Sequence, residues 1–251
     1  MNITEKLIRE TAAKSTNRYE FWSRFLNTLT AKRVVELGVF RGDYAARILK
    51  DCESIETYYM LDPWRHLDDW EKPANKDDDT FQKYLQETKD KTEFAGSKRV
   101  FLQGKTTEVI DQIKDHELDF AYIDGDHTLK GICIDLIRVY AKIRDGGWIG
   151  GDDLSKTIWQ HSTAFEPTLI FPFAVYFAEA VNARIYALPN AQFLIEKNAS
   201  QGFSFIDLTG DYKNVTLRSQ LNPRTIFKMQ ASESFPKLWS YIVKIKRALV
   251  R

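Results

Sequence analysis

Four short apolar runs constrain this chain more than any other feature of it. They span residues 32–36, 57–61, 99–103 and 118–123, and helical stretches separate them. Runs of this length bounded by turn residues read as buried strands, and their alternation with helices favours a parallel sheet covered on both faces. Ligands of such sheets bind where the carboxyl ends of the strands meet. Each run ends in polar or glycine-rich sequence. Glu36-x-Gly38-x-x-x-Gly42 follows the first, Asp62 the second, Gly104-Lys105-Thr106 the third and Asp124-Gly125-Asp126-His127 the fourth. A helix over 128–144, ended by Gly146-Gly147, leads to a fifth strand at 148–151 and then to Asp152-Asp153. Further strands over 183–188 and 193–196, after a helix at 172–181, bring the expected number to seven.

The glycine loop after the first strand allows a tight turn and a close backbone approach to a ligand. It lacks the three-glycine spacing of the dinucleotide fingerprint and the Gly-Lys-Ser/Thr of a phosphate loop. Asp62 lies about twenty residues beyond it, where a doubly wound fold holds a ribose hydroxyl. The carboxylates after the fourth and fifth strands would share one crevice. Such clustering is costly unless a cation, a proton or a substrate hydroxyl compensates it. Each motif also has a plain structural reading: Asp-Gly-Asp is a common turn, and Asp152-Asp153 suits a helix N-cap.

In the order ELGVFRG, LD, LQGKT, YIDGDH and GGWIGGDD, these segments resemble class I S-adenosylmethionine-dependent methyltransferases. Within that superfamily the chain is most similar to metal-dependent O-methyltransferases of the macrocin O-methyltransferase type, which act on sugar hydroxyls. The resemblance covers residues 30–200 and is most specific where IDGD pairs with GG-x-x-x-x-DD. It implies a Rossmann-like, doubly wound, mostly parallel seven-stranded α/β sheet with helices on both faces. It also implies that Glu36, Gly38 and Gly42 line the methionine end of S-adenosylmethionine and that Asp62 holds its ribose. Gly104 and Thr106 stand at the third strand end, where such a cofactor also lies. Asp124, Asp152 and Asp153 would hold a divalent cation, with Mg2+ expected, and Asp126 would be the general base. His127 is the rival for that role. Leu154 stands where many relatives carry an aromatic residue.

The expected activity is therefore methyl transfer to a hydroxyl of a sugar or glycosylated small molecule. The alternatives are a catechol-like hydroxyl, or a glycan-binding protein without turnover on the same fold. Trp159 and His161, after the acidic pair, would suit a sugar: a ring to stack on and a hydrogen-bonding partner. His66 and His116 show no partner pattern. Residues 63–79, with Trp64, Trp70, Pro73 and Asp77-Asp78-Asp79, read as a lid or as a surface excursion.

At 251 residues the chain suits one domain: a helical segment over 1–31, a catalytic core over 32–200 and an extension over 201–251. A formal charge of +1 argues against a nucleic-acid-binding surface. Cys52 and Cys133 make no disulfide framework, which points to reduced thiols in the cytoplasm. No apolar segment has the length of a signal peptide core or a membrane span. Residues 235–251 carry five basic residues and no acidic one, with an apolar stripe at Leu238, Trp239, Ile242, Ile245 and Leu249. This last helix would dock on the body or on a second subunit of a homo-oligomer, or rest on an acidic membrane surface.

Overall fold

The computed structural model describes residues 3–240. Two helices, α1 (Ile3–Ala13) and α2 (Arg18–Leu29), precede the first strand. Strands β1 (Arg33–Leu37), β2 (Thr57–Asp62), β3 (Arg99–Gln103), β4 (Leu118–Ile123) and β5 (Ile143–Gly151) then alternate with helices. The helices are α3 (Asp43–Asp51), α4 (Asp78–Thr92), the single turn α5 (Thr106–Val109) and α6 (Leu129–Lys142). After α7 (Ile170–Ala180) come β6 (Arg184–Leu188), β7 (Gln192–Glu196) and β8 (Ser204–Asp207), and then α8 (Leu217–Gln220) and α9 (Pro223–Ser234). The strands form one sheet in the order β3-β2-β1-β4-β5-β7-β6-β8, in which β7 alone runs antiparallel to its neighbours. This is the Rossmann-like, doubly wound arrangement expected from the sequence.

Alternation along each strand explains why the inner strands read as unbroken apolar runs. Val35, Leu37, Ala121 and Ile123 pack with Ile132, Leu136 and Val139 of α6 and Ala174 of α7. Val34, Met60, Phe120 and Tyr122 face the other way, onto Trp22 and Phe25 of α2 and Tyr44 and Ile48 of α3. Both faces are buried, so both are mainly apolar, and the buried exceptions on β1 and β2, Glu36 and Asp62, fall at the carboxyl ends of those strands.

Three details correct the sequence reading. The sheet has eight strands, because Ser204–Asp207 adds β8 beside β6. That strand is four residues long within a polar stretch, and it is fixed by Phe205 against Phe171 and Tyr212, a contact without sequence periodicity. Gly146-Gly147 does not end α6, which stops at Lys142; the glycines lie inside β5, where its register with β4 shifts. The run Asp77-Asp78-Asp79 starts α4. The Asp77 side chain accepts the Thr80 amide at 2.7 Å, and the two following carboxylates sit in the first turn, where the helix dipole favours them. The expected basic helix over 235–251 lies mostly outside the described residues. Among the described residues, no helix is long and apolar enough to cross a membrane.

Candidate active site

Helix α3 leaves β1 toward one face and α6 leaves β4 toward the other, so β1 and β4 mark the point where the winding reverses. A crevice opens there. It is a cavity of about 420 Å³, lined among others by Glu36, Gly38, Asp62, Thr106, Asp124, Asp126, His127 and His161. Of the other residues singled out in the sequence, Gly42, Gly104, Asp152, Asp153 and Trp159 are not among its lining residues.

The β1 loop forms the floor. Gly38 has φ +86°, and a Cβ there would lie 2.3 Å from the carbonyl oxygen of Asp124, so the two strand ends touch backbone to backbone. Asp62 holds this loop. Its Oδ2 accepts the amides of Val39 at 2.9 Å and Phe40 at 2.8 Å, and its Oδ1 accepts Trp64 N at 2.8 Å. The carboxylate expected for a ribose is thus first a clamp on the glycine loop. Burial pushes its pKa up, and the three amides work in the opposite direction. Glu36 is 1% exposed and accepts the Tyr58 hydroxyl at 2.7 Å. Burial raises its pKa well above the usual range, a cost that a cationic ligand group would offset. Gly42 instead faces Thr88 of α4, and Gly104 backs onto Val109 of α5. On the third side, Thr106 donates from Oγ1 to Asp135 at 2.6 Å. Burial lifts the pKa of Asp135 to about 7.

The carboxylates after β4 and β5 divide into two groups. Arg18, at the start of α2, pairs with Asp152 and lies 3.3 Å from Asp124 Oδ2. Gln192 of β7 donates to Asp152 Oδ1 while its own Oε1 accepts Trp22 Nε1 and the Tyr122 hydroxyl, both at 2.8 Å. Asp153 N donates to the same Asp152 Oδ1 at 2.8 Å. Asp153 itself has φ +57°, a left-handed conformation that Asp tolerates better than most residues. There it meets His127 Nδ1 at 2.6 Å. One donor atom each from Asp124, His127 and Asp153 lie within 4.8 Å of one another. The metal set read from the sequence is therefore divided: His127 joins Asp124 and Asp153, and Asp152 is turned to Arg18 and Gln192.

Burial opposes a charged His127 ring, but Asp124 and Asp153 outweigh it and raise its pKa to about 9. Burial likewise works to raise Asp153, yet contact with His127 holds it below the usual carboxylate range. Asp126 folds back over α6. Its Oδ1 accepts the Thr128 amide and Trp70 Nε1, each at 3.0 Å, and its Oδ2 has no hydrogen bond among the described residues.

The segment between β2 and α4 closes over the cavity. Trp64 is fully buried, Trp70 lines the space, and Lys72 is 6% exposed with its ammonium on the Glu166 carbonyl. Burial lowers the Lys72 pKa, and Asp126, Glu166 and Asp153 counter it. His161 lines the cavity beside Phe165, but Trp159 donates from its indole nitrogen to the Gln220 carbonyl at 3.1 Å and docks α8 instead.

A family model described as a methyltransferase domain matches residues 35–154, a little under half of the chain. That span begins in β1 and ends just past Asp153, so it contains the glycine loop, Asp62 and both carboxylate loops. No curated protein matches the chain at a significant level. Among solved structures, the O-methyltransferase from Bacillus cereus in complex with SAH is similar, at 17% identity and a TM-score of 0.53, over 76% of this chain and 88% of that one. TomG from Streptomyces achromogenes, an O-methyltransferase of tomaymycin synthesis in complex with SAM, gives 12% and 0.52 over 76% and 88%. The SAH-bound methyltransferase PaMTH1 from Podospora anserina gives 12% and 0.50 over 76% and 86%. At these identities the likeness is one of fold.

Several lining residues are absent from the candidate site read in the sequence, among them Arg18, Lys72, Trp70 and Asp135. Arg18 and Lys72 reach the cavity from separate segments, and nothing local marks them. Trp70 was noted only as part of the irregular segment. Asp135 carried a signal: it is an acidic residue directly beside Leu136 on a helix whose apolar stripe is otherwise clean.

Proposed function

We propose that this chain is an S-adenosylmethionine-dependent O-methyltransferase acting on a hydroxyl of a sugar or glycosylated small molecule, with a divalent cation. The observation that carries the reading is that one cavity joins the glycine loop of β1 to Asp124 and His127, with Asp153 behind them against the His127 ring. Glu36 and Gly38 suit the methionine end of the cofactor, the former as a buried acceptor for its ammonium. Asp62 borders the ribose, and Thr106 and Gly125 border the base. When bound, the cofactor would supply a methyl group from its sulfonium: the acceptor oxygen would bond to the methyl carbon as the carbon–sulfur bond breaks and S-adenosylhomocysteine leaves. The buried imidazole nitrogen of His127 that lacks a hydrogen bond, flanked by two carboxylates, fits a divalent cation. Such a cation polarises an acceptor hydroxyl and eases loss of its proton.

The chain's own groups do the rest. Asp126 receives the proton at Oδ2, while Thr128 and Trp70 hold its other oxygen and fix its direction. The indole of Trp70, rather than that of Trp159, offers a face to a sugar ring, and His161 offers a hydrogen-bonding partner. The segment carrying Trp70 and Lys72 excludes water from the reacting pair. The unpaired Cys52 and Cys133 support a reducing compartment, the cytoplasm. Calorimetry with S-adenosylhomocysteine, followed by labelled methyl transfer to glycosides and to catechols with and without EDTA, tests the reading. Cofactor binding and EDTA-sensitive transfer to a glycoside are expected. Failure to bind the cofactor would refute the assignment, and transfer confined to catechols would replace its acceptor.

A further inference from the structure

We propose that α8 and α9 form a docking surface for an anionic lipid membrane, joined to one wall of the cavity.

Charge is divided unevenly along the chain. Residues 213–251 hold nine Lys and Arg and one acid, Glu233, a net charge of +8. The chain as a whole carries +1, so residues 1–212 carry −7. The near-neutral total thus conceals a basic segment on an acidic body, and an anionic surface would attract the one and repel the other. Glu233 is turned inward, where its carboxylate accepts the Thr163 amide at 3.1 Å and the Thr163 hydroxyl at 2.8 Å. Arg218, Arg224, Lys228 and Lys237 are exposed, and among the described residues none of the four makes an ion pair.

Apolar side chains stand between these cations. Neither α8 nor α9 contains a buried residue. On α9, Ile226 and Met229 share the side of Glu233 and are half-buried, whereas Arg224, Phe227 and Lys228 fall on the opposite side. Phe227 is 69% exposed, and Leu221, Phe235 and Leu238 are each more than half exposed. This is the composition of a helix that lies in a membrane interface, with rings entering the headgroup layer and Lys and Arg stems reaching toward phosphates. A nucleic acid would use the charges and leave the apolar side chains in water. A second copy of this chain would set the unpaired cations against their own kind.

The surface is fastened to the cavity wall. Trp159 Nε1 donates to the Gln220 carbonyl at 3.1 Å, Thr157 Oγ1 bonds the Gln220 side chain at 3.1 Å, and Glu233 holds Thr163. His161, which lines the cavity, lies between these anchors. Docking on α8 and α9 would hold that wall close to the lipid.

Purified full-length protein would be floated with vesicles of phosphatidylcholine alone and of phosphatidylcholine with about one-third phosphatidylglycerol. At least tenfold stronger binding to the anionic vesicles is expected, falling steeply toward about 1 M salt, where the screening length is about 3 Å. Arg224→Gln with Lys228→Gln, and Leu221→Ser with Phe227→Ser, should each weaken binding at least fivefold. All four residues are exposed, so thermal unfolding of both variants should match the wild type. No vesicle binding, equal binding to the two vesicles, or binding that survives both double substitutions would overturn the inference. Loss with the charge pair alone would reduce it to electrostatic adhesion and overturn it too. Tighter binding to duplex DNA than to anionic vesicles would give the surface to a nucleic acid, and a dimer in light scattering that Phe227→Ser disperses, without vesicle binding, would give it to a second copy.

Discussion

Replacing Asp62 with alanine isolates what holds the cofactor side of the cavity together. Its carboxylate is the acceptor for three backbone amides, those of Val39, Phe40 and Trp64. The bonds to Val39 and Trp64 are buried and that to Phe40 partly so. Leaving a buried donor unsatisfied costs about 1–3 kcal/mol. The two buried amides therefore cost about 2–6 kcal/mol together, and the Phe40 amide, which water reaches, adds little to that. Removing a carboxylate whose pKa is raised by burial returns part of its desolvation, so a loss near the lower half of that range is expected. The measurement is urea unfolding of wild type, Asp62→Ala and Asp62→Asn at neutral pH, with midpoints compared at constant slope. Asparagine keeps one acceptor and should fall between the other two. Cofactor affinity, read by calorimetry on the folded variants, should drop together with the stability of the loop. Alanine and wild-type midpoints that agree within the error of the fits would refute the clamp and return Asp62 to a purely ligand-binding role.

Two further outcomes concern pH. In EDTA, His127 holds its proton up to about 9 in the folded chain and releases it near 6.5 when unfolded. Its stabilising contribution is therefore fully present below 6.5 and lost as pH rises through about 9. Urea midpoints of the wild type should fall across that window relative to His127→Gln, and parallel curves would contradict the pairing with Asp124 and Asp153. Asp135, held at about 7 by burial against 3.8 when exposed, lowers stability as pH rises between those values, because the unfolded chain gives up its proton first. Asp135→Asn keeps an acceptor for Thr106 and should gain on the wild type from pH 4 to 8, measured by thermal unfolding; no change in the difference would show that the carboxyl is hydrated.

The order of strands and helices, the crevice at their carboxyl ends and several of the residues that line it were legible in the sequence. Buried strands must be apolar on both sides, and the residues that end them must be glycine or polar. These are local rules, so 32–36, 57–61, 99–103 and 118–123 announced themselves, as did Gly38, Asp62 and Asp124. What the sequence could not supply was direction. Asp152 and Asp153 are adjacent and chemically identical, yet one turns to Arg18 and Gln192 and the other to His127. That division depends on a left-handed φ at Asp153, on a glutamine from β7 and on an arginine from α2, which meet only when the sheet closes. Gly42 and Gly104 pack on Thr88 and Val109, a placement the sequence could not supply for the same reason. A glycine beside a strand end is needed equally for a ligand and for a packed helix, and only the position of Thr88 and Val109 decided which. The sequence by itself determined which residues could carry chemistry at this edge of the sheet. The tertiary structure alone decided which of them face the cavity, because facing is a property of partners distant in the chain.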